Sequence, residues 1–142
     1  MTGQFALHER LRADTAEVAV WDLSLLLLMN EARWPWLILV PRRPAVREIE
    51  DLSASDRGQL IEEAAAASRL LRALHAPDKV NIAALGNMVP QFHLHVVART
   101  GGDPAWPKPV WGQFPPAPYE AAALEARLSA LRQALAEGRH RG

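Results

Sequence analysis

The sequence predicts an α+β domain: an antiparallel sheet of about four to five strands with helices packed on one face. Three observations lead there. Short apolar runs of strand length recur at 25–29, 36–40, 80–85 and 92–99. The connections at 30–35 and 86–91 are short, which makes the strands they join antiparallel neighbours. Two longer segments carry helical apolar stripes, one between the second and third runs and one near the C-terminus.

Taken in order, Leu7 to Arg12 mixes polar and apolar residues like a short helix ending near Asp14 and Thr15, and Val18 to Trp21 reads as a short strand. Leu25-Leu26-Leu27-Leu28-Met29 and Trp36-Leu37-Ile38-Leu39-Val40, separated by the turn-like 30–35, read as a hairpin. After Pro41-Arg42-Arg43-Pro44 a helix is predicted from Ser53, with Asp56 three residues on as a weak capping box. Leu60, Ala64, Ala67, Leu71 and Leu74 recur at steps of four and three, one stripe opposite Glu62, Glu63 and Arg69, and Pro77 ends it. The run 80–85 reads as the next strand, stopped at Gly86-Asn87, and 92–99 as the last. Proline and glycine make 101–118 irregular, pinned by Trp106, Trp111 and Phe114. A final helix is predicted over 119–137 on Leu124, Leu128, Leu131 and Leu135, with Gly138 as its stop and a frayed tail beyond.

Composition narrows the function. The 142 residues fit one domain, 1–142, with room for a core. Absence of cysteine excludes thiolate catalysis, disulfides and cysteine zinc sites. The 16 basic and 16 acidic residues balance, which argues against long nucleic acids and membrane surfaces and for a small ligand. No apolar run is long enough to span a bilayer, and Met1-Thr2-Gly3-Gln4 lacks a basic then apolar leader, so the expected location is cytoplasmic.

The chemistry is expected on the last strand, in Gln91-Phe92-His93-Leu94-His95-Val96-Val97. Alternate strand residues share a face, so His93 and His95 point the same way with Gln91 beside them, a polar row that packing alone does not need. The residues by themselves allow three readings. A neutral imidazole can attack an electrophile such as phosphorus; paired imidazoles can ligate zinc, with Asp103 the only carboxylate close in sequence; or both can be hydrogen-bonded at a sheet surface.

This row resembles the signature of the histidine triad (HIT) superfamily, in which three histidines alternate with apolar residues along a strand. Here Gln91 stands in the first position. Leu37 to Pro44, Asp51-Leu52 with the following helix, and the Gly86-Asn87 loop occur in the order of the fragile-histidine-triad-like branch, so the resemblance covers about 20–100. The segment from Asp103 through Trp106 to Trp111-Gly112 is similar to bacterial members.

The resemblance implies a nucleotide hydrolase or nucleotidyl transferase acting at an α-phosphate, with no cofactor or metal. His93 would be the nucleophile, with one ring proton given to the backbone carbonyl of Gln91, and His95 would donate to phosphate or leaving-group oxygens. Glutamine cannot titrate near neutrality, so Gln91 bears on rate and leaving-group preference. Gly86, Asn87 and Met88 occupy the place of phosphate-binding amides, and Asn30 falls near a ribose-contacting position; each is otherwise an ordinary turn residue. Arg99, close to the row, is a better anion partner than Arg42-Arg43, and His8, His75 and His140 read as surface residues. Trp106 and Trp111 cover the site or a dimer contact, or only pack the loop. Family members commonly form homodimers. The rivals are a non-catalytic nucleotide-binding module, in which Gln91 marks lost turnover, and a metal-binding protein.

Overall fold

The computed structural model describes residues 3–142; Met1 and Thr2, the start of the segment read as lacking a leader, lie outside it. Five strands form one sheet: β1 (Thr15–Val20), β2 (Ser24–Met29), β3 (Trp36–Pro41), β4 (Lys79–Ala83) and β5 (Leu94–Arg99). Their order is β1-β2-β3-β5-β4, and every neighbouring pair is antiparallel. The α+β class, the β2–β3 hairpin and the β4–β5 pairing are as the sequence predicts.

Two apolar layers explain why β2 and β3 read as nearly unbroken hydrophobic runs. Leu26 and Leu28 of β2, Leu37 and Leu39 of β3, and Leu94, Val96 and Ala98 of β5 face helices α2 (Ala54–His75) and α3 (Ala121–Ala136). Leu27, Trp36, Ile38, Val40 and Val97 form the opposite face. With both faces covered, period-two alternation between apolar and polar residues disappears.

Helix α2 buries Leu60, Ala64, Ala67 and Leu71 of its expected stripe together with Leu70, while Leu74 is half-buried; Glu63, expected on the opposite face, is buried instead, its carboxylate accepting the Leu23 amide at 2.9 Å. Ser53 caps it by accepting the Asp56 amide at 3.0 Å. The capping box is only half made, because the Asp56 carboxylate pairs with Arg43 at 2.8 Å. The helix ends at Ala76, whose left-handed backbone (φ 44°) turns the chain into Pro77.

Four further expectations are corrected. Both long helices share one face, but the short α1 (Glu9–Asp14) buries Leu11 on the other, beside Val89, Ala105 and Val110. Strand β5 starts at Leu94 rather than Phe92, because the Phe92 amide donates to Val46 O instead of a neighbouring strand. The last helix starts at Ala121 rather than 119, since Glu120 is extended (ψ 148°) as its N-cap, and the Tyr119 amide before it donates to Asn30 Oδ1. The C-terminal tail is docked, not frayed: Arg139 reaches Ala73 O, Arg69 reaches His140 O, and His140 stacks on Trp21 at 5.8 Å. Among the described residues no helix is long and apolar enough to cross a membrane.

Candidate active site

The functional row lies on the face opposite α2 and α3, where α1 on one side and the 101–118 segment on the other leave a gap. His95 sits in the middle of the sheet, opposite Ile38 of β3 and Ala83 of β4. His93 precedes the ladder by one residue. The two rings meet edge to face at 4.8 Å between centroids, and both are more than nine-tenths buried.

Each ring has one nitrogen committed to the protein. His93 Nδ1 lies 2.7 Å from Gln91 O. A carbonyl only accepts, so the neutral ring carries its proton on Nδ1 and presents a bare lone pair at Nε2. His95 has the complementary form: its Nδ1 accepts the Trp36 indole N–H at 3.0 Å, leaving the proton on Nε2. Trp36, on the same face as Ile38, and Trp111 stand edge-on to the His95 ring at 5.6 and 5.3 Å.

Burial keeps both rings neutral. It pushes His93 below the ordinary imidazole range, against the opposing hydrogen bond to Gln91 O, and His8 adds to the depression. His95 is pushed down to about 3, first by burial and then by His93. His75, half-buried against Arg127, is pushed down to about 4 by the same two kinds of effect. A neutral form favoured by folding stabilises the protein above the unfolded value of about 6.5, and that contribution is lost as pH falls from there towards the folded values. Thermal melting followed from pH 7.5 to pH 5 should therefore show a falling midpoint, with a shallower fall in His95→Asn; equal slopes would contradict the assignment.

In front of the rings is a cavity of about 580 Å³. Met29, Ile38 and Val89 supply apolar wall from the sheet side and Leu11 from α1, while Met88, 85 % exposed, stands at its rim. Gly86 (φ 78°) turns the preceding loop and lines a small hollow against His93 with Arg47. Asn87 is exposed beside it. The loop of Gly86, Asn87 and Met88 thus flanks His93.

The other sequence-predicted residues are placed differently. Asn30 faces an adjoining cavity of about 140 Å³, and its Oδ1 accepts the Tyr119 amide at 2.9 Å. Arg99 shares the face of His95 but is 1 % exposed. Its guanidinium is held by Asp103 at 2.7 and 3.1 Å, by Asn81 Oδ1 and by Lys108 O. It staples the irregular segment to the sheet and has no fork left for a phosphate. Trp106 lies under that guanidinium, and Trp111 packs on Trp36 and His95, so of the two only Trp111 meets the row. The Gln91 side chain hydrogen-bonds residues 6–8 rather than either ring, accepting His8 N–H at 2.8 Å and donating to Ala6 O at 2.9 Å.

Sequence reasoning missed two residues. Trp36 was read only as a strand residue, although it sets the His95 tautomer. His8, read as surface, lines the cavity with His93 and His95. No spacing rule connects it to a row more than eighty positions away. Among the described residues, no three His, Asp or Glu side chains converge so as to hold a metal ion.

The model of the HIT domain matches residues 10–102, about two thirds of the chain. The chain belongs to the histidine triad family. Solved structures of HIT proteins resemble it along nearly their whole length. A histidine triad protein from Bradyrhizobium japonicum is 46% identical, covering 92% of this chain and 98% of its own, with a TM-score of 0.88. One from Sinorhizobium meliloti is 39% identical over 91% and 96% of the two chains, TM-score 0.88. One from Marinobacter aquaeolei is 49% identical over 94% and 99%, TM-score 0.83. No curated protein matches the chain. HIT proteins are generally nucleotide-binding hydrolases or transferases.

Proposed function

We propose that this HIT protein cleaves a nucleoside phosphate ester, anhydride or phosphoramidate at the α-phosphorus through a covalent nucleotidyl-His93 intermediate. The observation that carries the reading is the pair of buried, neutral imidazoles with complementary tautomers, one offering a lone pair and the other a proton. His93 Nε2 attacks phosphorus and the bond to the leaving group breaks, its electron pair departing with the leaving group. His95 Nε2–H donates to the oxygen charge that develops. Water then attacks the phosphorus of the adduct, the N–P bond breaks, and the mononucleotide leaves with His93 regenerated. Neutrality matters in the first step, because a protonated His93 has no lone pair to give.

The cavity between α1 and Ile38 is mostly apolar and large enough for a nucleoside. Gly86 and Met88 N–H groups and the Asn87 amide are the donors proposed for the phosphate. Asn30 keeps its NH₂ free of the Tyr119 contact and is the proposed ribose partner. Gln91 acts as a positioning residue, through its carbonyl on His93, and Arg99 takes no part. The decisive experiment is mass spectrometry of protein quenched during turnover of adenosine 5′-phosphoramidate or a dinucleoside polyphosphate. An adenylyl adduct on His93 is expected; nucleotide binding without one would make this a binding module instead.

The pH profile is a second test. With His93 held below the ordinary imidazole range, the acid limb of kcat/KM should lie below pH ~6.5. A limb at or above that value would mean a nucleophile that is not buried and neutral.

The proposed assembly is a homodimer through β4. Among the described residues this edge strand pairs only with β5, and exposed Ile82 lines with Ile49 and Ile61 an apolar hollow of about 430 Å³. Light scattering after gel filtration should give twice the chain mass for the wild type and the single-chain mass for Ile61→Glu/Ile82→Glu. A monomeric wild type would remove the dimer.

A further inference from the structure

The side chain of Gln91 makes a two-point clip that few other residues could make. Its oxygen accepts from His8 N–H and its nitrogen donates to Ala6 O, both from the one end of a planar amide. The two nitrogens of an imidazole point away from each other, so histidine at this position could not hold both groups, and glutamate could not donate to Ala6 O. The clip lays residues 6–8 over the start of the histidine row.

That placement delivers a ring. His8 Nδ1 accepts the Arg10 amide at 3.0 Å, which leaves the ring proton on Nε2. Among the described residues Nε2 has no protein partner, and the side chain lines the same cavity as His93 and His95. The three imidazoles thus share one cavity.

We propose that His8 is a third imidazole of the site, clipped in place by Gln91, whose Nε2–H donates to the non-bridging or leaving-group oxygens of a nucleotide phosphate. This rests on the reading of the cavity as a nucleotide site. It also gives Gln91 a purpose: where the resemblance puts the first histidine, this chain has a residue that recruits an imidazole from the N-terminal segment.

Asparagine at position 8 can still accept the Arg10 amide, so His8→Asn removes the ring while keeping the cap. AMP, GMP, CMP and UMP, each against its own nucleoside, would be titrated into wild type, His8→Asn and Gln91→Ala and followed by nuclear magnetic resonance. Loss of a hydrogen bond to a charged oxygen should weaken monophosphate binding roughly tenfold in His8→Asn, with nucleoside binding within about twofold and an unchanged melting temperature. Gln91→Ala, which removes both hydrogen bonds of the clip without adding a charge, should move monophosphate affinity the same way. Unchanged monophosphate affinity in His8→Asn, or equal losses for nucleoside and monophosphate, would overturn the proposal, as would a wild type that binds none of the four. A selective loss in His8→Asn together with a wild type that forms no adduct would uphold His8 and remove only the covalent mechanism.

Discussion

Replacing His93 with alanine should lower nucleotidyl release by at least roughly 10³-fold, the scale of losing a nucleophile, while leaving the fold intact. The ring hangs from a residue that precedes the β5 ladder, so no strand hydrogen bond depends on it. Its buried surroundings are supplied by neighbours that remain: His95 is held by Trp36, and the cavity wall by Ile38 and Val89. Nucleotide affinity should change much less than turnover, because the apolar cavity and the Gly86-Asn87-Met88 loop remain. Turnover near the wild-type rate in purified His93→Ala would sink the mechanism outright. His93→Gly with added imidazole offers a sharper version: partial recovery of turnover is expected if the lost group is the nucleophile.

The contrast with Gln91→Ala is informative. That substitution leaves the main-chain carbonyl that holds His93 Nδ1, so the tautomer of the nucleophile survives. It removes the clip on residues 6–8. A partial loss is therefore expected, smaller than that of His93→Ala.

How far the site could be read from the sequence depended on the range of each contact. The face shared by His93, His95 and Arg99 follows from strand periodicity, and the structure has it. The partner of His95 does not follow, because Trp36 meets it diagonally and only the register that sets Ile38 opposite His95 brings the indole there. Arg99 illustrates the opposite error. Its closeness to the row suggests an anion partner, yet Asp103, four residues on, forms the pair and takes the fork away from the cavity. The helix stripes were legible because burial imposes a period on them. Nothing periodic marks the hydrogen bonds between Gln91 and residues 6–8, which join distant segments through one side-chain amide.

Asp103→Ala should cost about 3–5 kcal/mol of stability, the largest loss expected from a residue outside the cavity. Its partner Arg99 is 1 % exposed, and Asp103, half-buried as a residue, has its side chain largely covered. Removing the carboxylate leaves a guanidinium in the interior with Asn81 Oδ1 and Lys108 O as its remaining acceptors. It also frees the backbone amides of Thr100 and Ala105, which donate to the carboxylate, and leaves the Trp106 amide only the Asp103 main-chain carbonyl. The Arg99 guanidinium beside it holds the Asp103 carboxyl well below the usual carboxylate range, so the pair stays ionised through ordinary acid conditions. In urea, Asp103→Ala should shift the unfolding midpoint strongly; a change below about 1 kcal/mol would mean the pair is not the staple described. Asp103→Asn, which keeps an acceptor, should lose less. Arg99→Met/Asp103→Leu should lose less than the two single changes combined, since neither charge is then stranded. The consequence reaches the site because the stapled segment brings Trp111 against His95 at 5.3 Å. Loosening it should admit water to that ring and raise its pKa towards the ordinary range, measurable by nuclear magnetic resonance titration of His95 in Asp103→Asn. The most buried ion pair among the described residues would thus act on the proposed chemistry at a distance, by keeping dry the imidazole whose neutrality that chemistry uses.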